Sequence, residues 1–363
     1  MTSHWEKDAW LHPPNLLVVG GGIVGASTAL FYKQLHPDSS VWIVERGRMS
    51  PYGASTRNAG FACIGSVSEH LADIKSAGRE TVFGRIRRRW EGLKLLRYTM
   101  GDEEIGYQHT GGVEIFTDQD LYARCCSALP EMNEYLGTIT GIPDVYSVGR
   151  FENFPAIFNK VEGALHSGRL MLKLHEKCQL AGIRTFWGME VESISSSEII
   201  FQGGFSLNPK RTVVAVNGFL QHLFTTDIKP ARGFVFVTKP IRKMIWNGTF
   251  SFNEGYVYFR NIGDRVLLGG GRNVARDEET TAEFGVNPLV REYLLRFANE
   301  TLKLPEGWEI ETEWSGIMGM APDKEPEITR RGESVWSVAG LSGMGIAIGM
   351  QVAREVVARL NEG

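Results

Sequence analysis

Residues 15–45 constrain this chain more than any other stretch. Asn15–Val19 (NLLVV) is short and apolar enough for a buried strand, Gly20–Gly25 (GGGIVG) is a glycine loop, and Ala26–Gln34 continues as a helix. A second apolar strand, Val41–Val44, ends in Glu45, twenty positions after Gly25. Gly20, Gly22 and Gly25 have G-x-G-x-x-G spacing, with Ile23 and Val24 between the last two. Such glycines provide a tight turn, room for a pyrophosphate to touch backbone, and close packing of helix on strand. The helix start offers free N–H groups and a positive dipole end to phosphates, and Glu45 stands where an acid takes the ribose hydroxyl. A glycine turn alone would be a weak sign. Strand, loop, helix, strand and acid in this order predict a dinucleotide site in a Rossmann-type α/β domain.

Length and composition fit that reading. The 363 residues allow about two domains, and 43% hydrophobic with 22% charged residues describes a globular chain with a full core. A formal charge of −3 gives no general attraction to nucleic acid. The one basic knot, Arg85–Trp90 (RIRRRW), reads as a solvated helix face, with an RNA-contacting patch as the alternative. Cys63, Cys125, Cys126 and Cys178 are too few and scattered for a disulfide framework or zinc site, so reduced thiols are expected. No secretory signal, transmembrane segment or metal-binding pattern is visible, which points to a cytoplasmic protein.

Directly after Glu45-Arg46 comes Gly53–Gly60 (GASTRNAG), a second small-residue loop holding Ser55, Thr56, Arg57, Asn58 and Ala59. It has the length and composition to run along an extended cofactor, where a nicotinamide protein would continue with alternating strands and helices. These residues, Val18–Gly25, Glu45-Arg46 and Gly53–Gly60, resemble the FAD-dependent D-amino-acid-oxidase-type (DAO) flavoproteins, nearest the glycine and sarcosine oxidase-like branch. The likeness is dense in the first 65 and last 50 residues.

The rest of the chain can be placed around this start. Glu69–Gly101 and Asp118–Leu136 read as helices, and strands and helices alternate again from Val161 to Gly218. Arg232–Thr238, Tyr256–Arg260 and Arg265–Gly269 are strands without intervening helices, with Gly263-Asp264 as a hairpin turn, so an antiparallel sheet is expected. Pro288–Leu302 reads as a helix. The fold class expected is α/β plus α+β: a Rossmann-type, GR2-like FAD-binding domain from 1–83, 150–225 and 315–363, and a discontinuous antiparallel-sheet substrate domain from 84–149 and 226–314. The resemblance makes that second domain a roof over the flavin ring, sets Val191 on the adenine side, and puts Asn217 and Gly218 near the phosphates.

At the far end, Gly340–Ile346 (GLSGMGI) opens a helix running to Leu360, with Ser342, Gly343, Met344 and Gly345 at its start. A plain cap needs one glycine or serine, not three glycines. A helix N-terminus there would stabilise the negative charge of a reduced flavin. Two glycine loops at opposite ends of the chain are best explained by one large cofactor, FAD.

For the substrate, Tyr258 and Arg260 share a strand face by period two and could anchor a carboxylate; Tyr107 and His109 could line the same roof. Arg57 is expected near the flavin. Two positions depart from the family. Met318 stands where relatives carry a cysteine that links the flavin or an arginine that clamps the substrate, and Ala347 where sarcosine oxidases carry a lysine. The flavin is therefore expected to be non-covalent and the familiar amino-acid clamp absent. The leading expectation is an enzyme oxidising the C–N bond of a small amine or amino acid, with oxygen or another electron acceptor. A 2-hydroxy acid dehydrogenase and a flavin-binding subunit with negligible turnover remain as alternatives.

Overall fold

The structure, a computed structural model, describes residues 3–10, 12–195, 198–242 and 246–362. At its centre Leu16–Val19 pairs in parallel with Val41–Glu45 on one side and Arg211–Val214 on the other. Arg184–Trp187 and Val335–Ala339 extend this sheet, and Glu327–Arg330 closes its edge as an antiparallel hairpin partner. Alternation along these strands builds two cores. Leu16, Val18 and Ile43 pack on the helical side, while Leu17, Val19 and Val44 meet Ile199, Phe201 and Leu207 of a small three-stranded sheet. Against the helical side lie the fingerprint helix Ile23–Leu35, the closing helix Gly345–Glu362, and helices Arg79–Met100 and Ser167–Leu180.

The second layer is an eight-stranded sheet, the roof. Its order is Ile310–Met320, Lys229–Thr238, Arg265–Gly270, Val257–Ile262, Thr249–Phe252, Gly112–Ile115, Phe154–Asn159 and Tyr146–Phe151. Only the contact of Thr249–Phe252 with Gly112–Ile115 is parallel. Phe234, Phe236, Phe259 and Leu268 turn to the outer face and pack under helix Pro288–Arg296 through Val290 and Leu294. By the same alternation Gly233, Val235, Tyr258, Arg260, Leu267, Gly269, Gly316 and Met318 turn to the cofactor side.

Several expectations shift. The hairpin Tyr146–Asn159 was not anticipated, and it pairs in the roof sheet although residues 150–159 were placed in the cofactor domain. Strand Ile310–Met320 stays in the roof ladder across the expected limit at 315, because its bonds to Lys229–Thr238 continue to Met320. Helix Arg79–Met100, mostly assigned to the roof, packs on the closing helix instead. Gly92 allows this: a Cβ there would stand 2.0 Å from the carbonyl of Ala347. The alternation expected from Val161 opens with a strand of only two residues, Gly163–Ala164, and the helix from Pro288 ends at Arg296 with a wider turn to Thr301.

The basic run is neither a solvated face nor a nucleic-acid patch. Arg85 is buried against Glu325 (2.7 Å) and Asp73 (3.5 Å), and Arg88 joins Glu325 to Glu355. Arg89 is buried against Glu69 (2.9 Å) and donates to the carbonyl of Ile64 (2.8 Å). The charges knit three segments together inside the fold. All four cysteines are free, and no helix among the described residues is long and apolar enough to cross a membrane.

Candidate active site

A groove runs between the N-termini of the fingerprint and closing helices. Gly20, Gly22, Ile23, Val24, Glu45, Arg46, Ser55, Asn58, Val191, Asn217, Gly343, Gly345 and Ile346 all line it. Gly20 has φ +104°, and a Cβ there would sit 2.6 Å from the carbonyl of Ala215. Gly25 lies behind the groove, where a Cβ would come within 1.9 Å of the Gly20 carbonyl. Helix and turn touch only because that atom is absent.

Glu45 is 5% exposed, and its carboxylate accepts three backbone N–H groups: Gly21 at 2.7 Å, Gly47 at 2.8 Å and Tyr52 at 3.0 Å. The acid thus fixes the fingerprint turn to the loop beyond the second strand, and its remaining lone pairs are left for a ribose hydroxyl. Arg46 lies between the rings of Tyr52 (3.9 Å) and Phe219 (4.0 Å) and pairs with Glu190. Tyr52, Phe219, His222 and Gln202 also line this end of the groove and were not foreseen. Tyr52 follows the acid too irregularly for a period to reveal it. Phe219 directly follows the Asn217-Gly218 turn, the one signal that was available.

The second loop lies between the layers. Ser55 Oγ accepts the N–H of Ile23 (3.0 Å), and Asn58 braces the loop from Ala54 to Gly60. Thr56 turns back to the Pro51 carbonyl. Arg57 lies over the ring of Phe284 at 4.4 Å, donates to the Ser315 carbonyl, and accepts the Trp314 indole N–H on its own carbonyl. The carbonyls of Ala59 and Gly60 both accept from Arg260. At the far end Asn217, at φ +47°, accepts N–H groups of Gly340 and Leu341, tying its turn to the closing loop. Gly218 packs under the Met318 carbonyl, Ser342 holds Gly340 and Ala321, and Met344 N–H bonds Leu341. At Gly343, φ +83°, a Cβ would meet only the Met318 sulfur at 3.8 Å, so the space beside it is open.

These features fit FAD. Two helix starts face one groove, a buried acid stands at one end, and Gly343, where a Cβ would meet only the Met318 sulfur, stands at the other. Met318 carries neither a nucleophile nor a charge toward the groove. Ala347 is buried against Gly92.

On the roof, the Tyr258 ring lies flat across Gly269, whose Cβ would stand 2.5 Å from it, and meets Phe61 edge-on at 5.6 Å. Burial pushes the Tyr258 phenol up to about 12, and its hydroxyl bonds no described residue. Arg260 departs from its expected part. It is 7% exposed, and one nitrogen, Nη1, donates to the carbonyls of Ala59 (3.4 Å), Gly60 (3.0 Å) and Leu165 (3.0 Å). A two-point grip on a substrate carboxylate would require breaking those bonds. Tyr107 and His109 do not join Tyr258: Tyr107 lies under Arg97 at 4.1 Å, and exposed His109 bonds the Lys160 carbonyl.

Comparison with known proteins places this groove in a class. Residues 15–359 match the model of the DAO family, FAD dependent oxidoreductase, and the chain belongs to that family. It is an FAD-dependent oxidoreductase with the DAO fold. Among solved structures it is similar to glycine oxidase from Geobacillus kaustophilus, with 20% identity, a TM-score of 0.74, and 96% of this chain and 95% of that one covered. L-proline dehydrogenase from P. horikoshii gives 16% identity and a TM-score of 0.73, covering 97% and 94%. FAD-bound L-alpha-glycerophosphate oxidase from Mycoplasma pneumoniae gives 14% and 0.72, covering 97% and 95%. No curated protein matches the chain in sequence.

Proposed function

We propose that this enzyme oxidises the C–N bond of a small amine or amino acid, giving an imine that water then hydrolyses. Bound FAD would supply a hydride acceptor at its N5, held without a covalent link. The observation that carries the choice of substrate is the chemistry of the cofactor-facing roof. At the centre of this face, Gly233, Val235, Tyr258, Arg260, Leu267, Gly269, Gly316 and Met318 include no His, Asp, Glu or Lys, and Glu114, farther along the same face, is engaged by the N–H groups of Val67 and Ser68 and by the Ser68 hydroxyl. An alcohol must lose its O–H proton as it is oxidised, which calls for a general base. A phenol raised to about 12 and a guanidinium cannot serve. A neutral amine has its own lone pair and needs only alignment and a dry site, and an apolar roof favours its neutral form. Tyr258 is the polar handle for the substrate, through its unpartnered hydroxyl.

An anaerobic titration of the holoenzyme with amines, amino acids and 2-hydroxy acids, followed by flavin absorbance, tests this. Bleaching by one of the nitrogen compounds is expected. Bleaching by hydroxy acids alone, or by nothing, would overturn the proposal, and readmitted air then separates oxidase from dehydrogenase.

A further inference from the structure

Among the described residues, Arg260 is a buried cation without an anion. No carboxylate pairs with it; its guanidinium donates only to carbonyls, those of Ala59, Gly60 and Leu165 through Nη1 and that of Asn261 through Nε. Burial draws it down to about 10, so it keeps its charge at neutral pH. An unpaired charge in the interior costs several kcal/mol unless nearby dipoles compensate it. Here four carbonyl dipoles lower that cost but no opposite formal charge among the described residues cancels the cation, and simple packing would be served as well by an uncharged side chain. The position is telling. Arg260 sits on the roof, and the carbonyls it holds end the loop whose Ser55 and Asn58 line the cofactor groove. Gly60, at φ +74°, brings its backbone so close that a Cβ would stand 2.8 Å from Nη1.

We infer that Arg260 is a positioning residue for the cofactor, with two functions: it bolts the Ala54–Gly60 loop to the roof, and its uncompensated positive charge favours negative charge on the flavin ring. Fixed charge in a water-excluded site acts strongly on nearby developing charge. Arg260 therefore raises the flavin's reduction potential instead of gripping a substrate carboxylate. The inference rests on FAD dependence and not on which substrate the enzyme takes.

Sulfite separates the two questions, because it adds to oxidised flavin, leaves negative charge on the ring, and requires no substrate. The FAD-loaded wild type, R260K and R260Q would be titrated with sulfite and followed by absorbance, with midpoint potentials measured alongside. R260K keeps the charge, and R260Q keeps an N–H donor for the carbonyls without it. Sulfite Kd is expected to stay within about threefold in R260K and to rise at least about tenfold in R260Q, with a lower potential in the neutral variant. Equal sulfite affinity in wild type and R260Q, or an equal loss in both variants, overturns the inference. If the substrate panel fails while sulfite affinity still follows charge, the substrate proposal falls and this one stands.

Discussion

Glu45 offers the most direct test of how the groove is held before any cofactor arrives. Its Oε2 accepts Gly21 N–H at 2.7 Å, and its Oε1 accepts Gly47 at 2.8 Å and Tyr52 at 3.0 Å. Glu45→Gln keeps the shape and exchanges one oxygen for an NH₂. The less costly amide orientation keeps the oxygen on Gly47 and Tyr52, so the buried Gly21 N–H then faces a donor. Leaving such a group unsatisfied costs about 1–3 kcal/mol, and the two surviving bonds lose their charge assistance. We expect the apo protein to lose about 2 kcal/mol locally, or roughly a thirtyfold faster hydrogen exchange at the Gly21, Gly47 and Tyr52 amides. FAD Kd should rise by a similar factor, because the turn that receives the phosphates is no longer fixed. Exchange mass spectrometry on apo protein, with a fluorescence titration of FAD, measures both. Unchanged exchange in the apo variant alongside weakened FAD binding would refute the reasoning, since Glu45 would then serve the cofactor alone.

Two glycines should respond in opposite ways. Gly25→Ala puts a methyl 1.9 Å from the Gly20 carbonyl and should abolish FAD uptake, whereas Gly84→Ala, with nothing within 4 Å in its helix, should stabilise by about 0.5–1 kcal/mol; thermal unfolding and flavin content decide both. Arg57→Ala removes the stack on Phe284 and the bond to Ser315 and should weaken FAD retention more than it changes substrate preference; an unaltered FAD affinity would remove that loop from the cofactor. Burial raises Glu162 to about 8 and Glu114 to about 7. Between about pH 4.5 and 8 the folded protein therefore holds protons that the unfolded chain has released, and their contribution to stability falls as pH rises. Urea unfolding of wild type and Glu162→Gln across that range should show a flatter alkaline limb in the variant; parallel limbs would refute it.

What the sequence made legible follows from how local each signal is. The fingerprint depends on residues within thirty positions, Leu16 to Glu45, and the structure brings them to one groove end. The basic run misled because the partners of Arg85 and Arg88, namely Asp73, Glu325 and Glu355, include residues more than two hundred positions away. A charge run with distant counter-charges looks the same in sequence as a solvated one. Glu114 was hidden in another way. Val113 and Ile115 pack outward under the helix, so period two sends Glu114 to the opposite face, which reads as solvent. That face is covered by residues 64–68, and Glu114 accepts Val67 N–H, Ser68 N–H and the Ser68 hydroxyl there.

Those covered residues explain why the roof and the groove act as one unit. From Ala59 to Ser68 the backbone is largely interior, and apart from the short pairing of Phe61–Ala62 with Gly163–Ala164 and the helix start at Val67 it has no ladder, so its other buried groups must find partners elsewhere. It finds them in side chains: Arg260 for the carbonyls of Ala59 and Gly60, Glu162 for the N–H groups of Ile64 and Gly65, Glu114 for those of Val67 and Ser68, Arg89 for the carbonyl of Ile64 and Tyr146 for that of Gly65. Arg260, Glu114 and Tyr146 belong to strands of the roof sheet. The front of the same loop is held by the fingerprint helix, through Ser55 and Ile23. One continuous segment is thus fixed at its start by the parallel-sheet layer and at its end by the roof sheet. A displacement of either layer has to be carried through Arg57, Asn58 and Ala59, the residues between the two anchors. The ionisable groups buried around this segment are therefore best understood as the supports of the cofactor loop, and the burial that shifts Glu114, Glu162 and Arg260 is the cost of holding an irregular backbone in place.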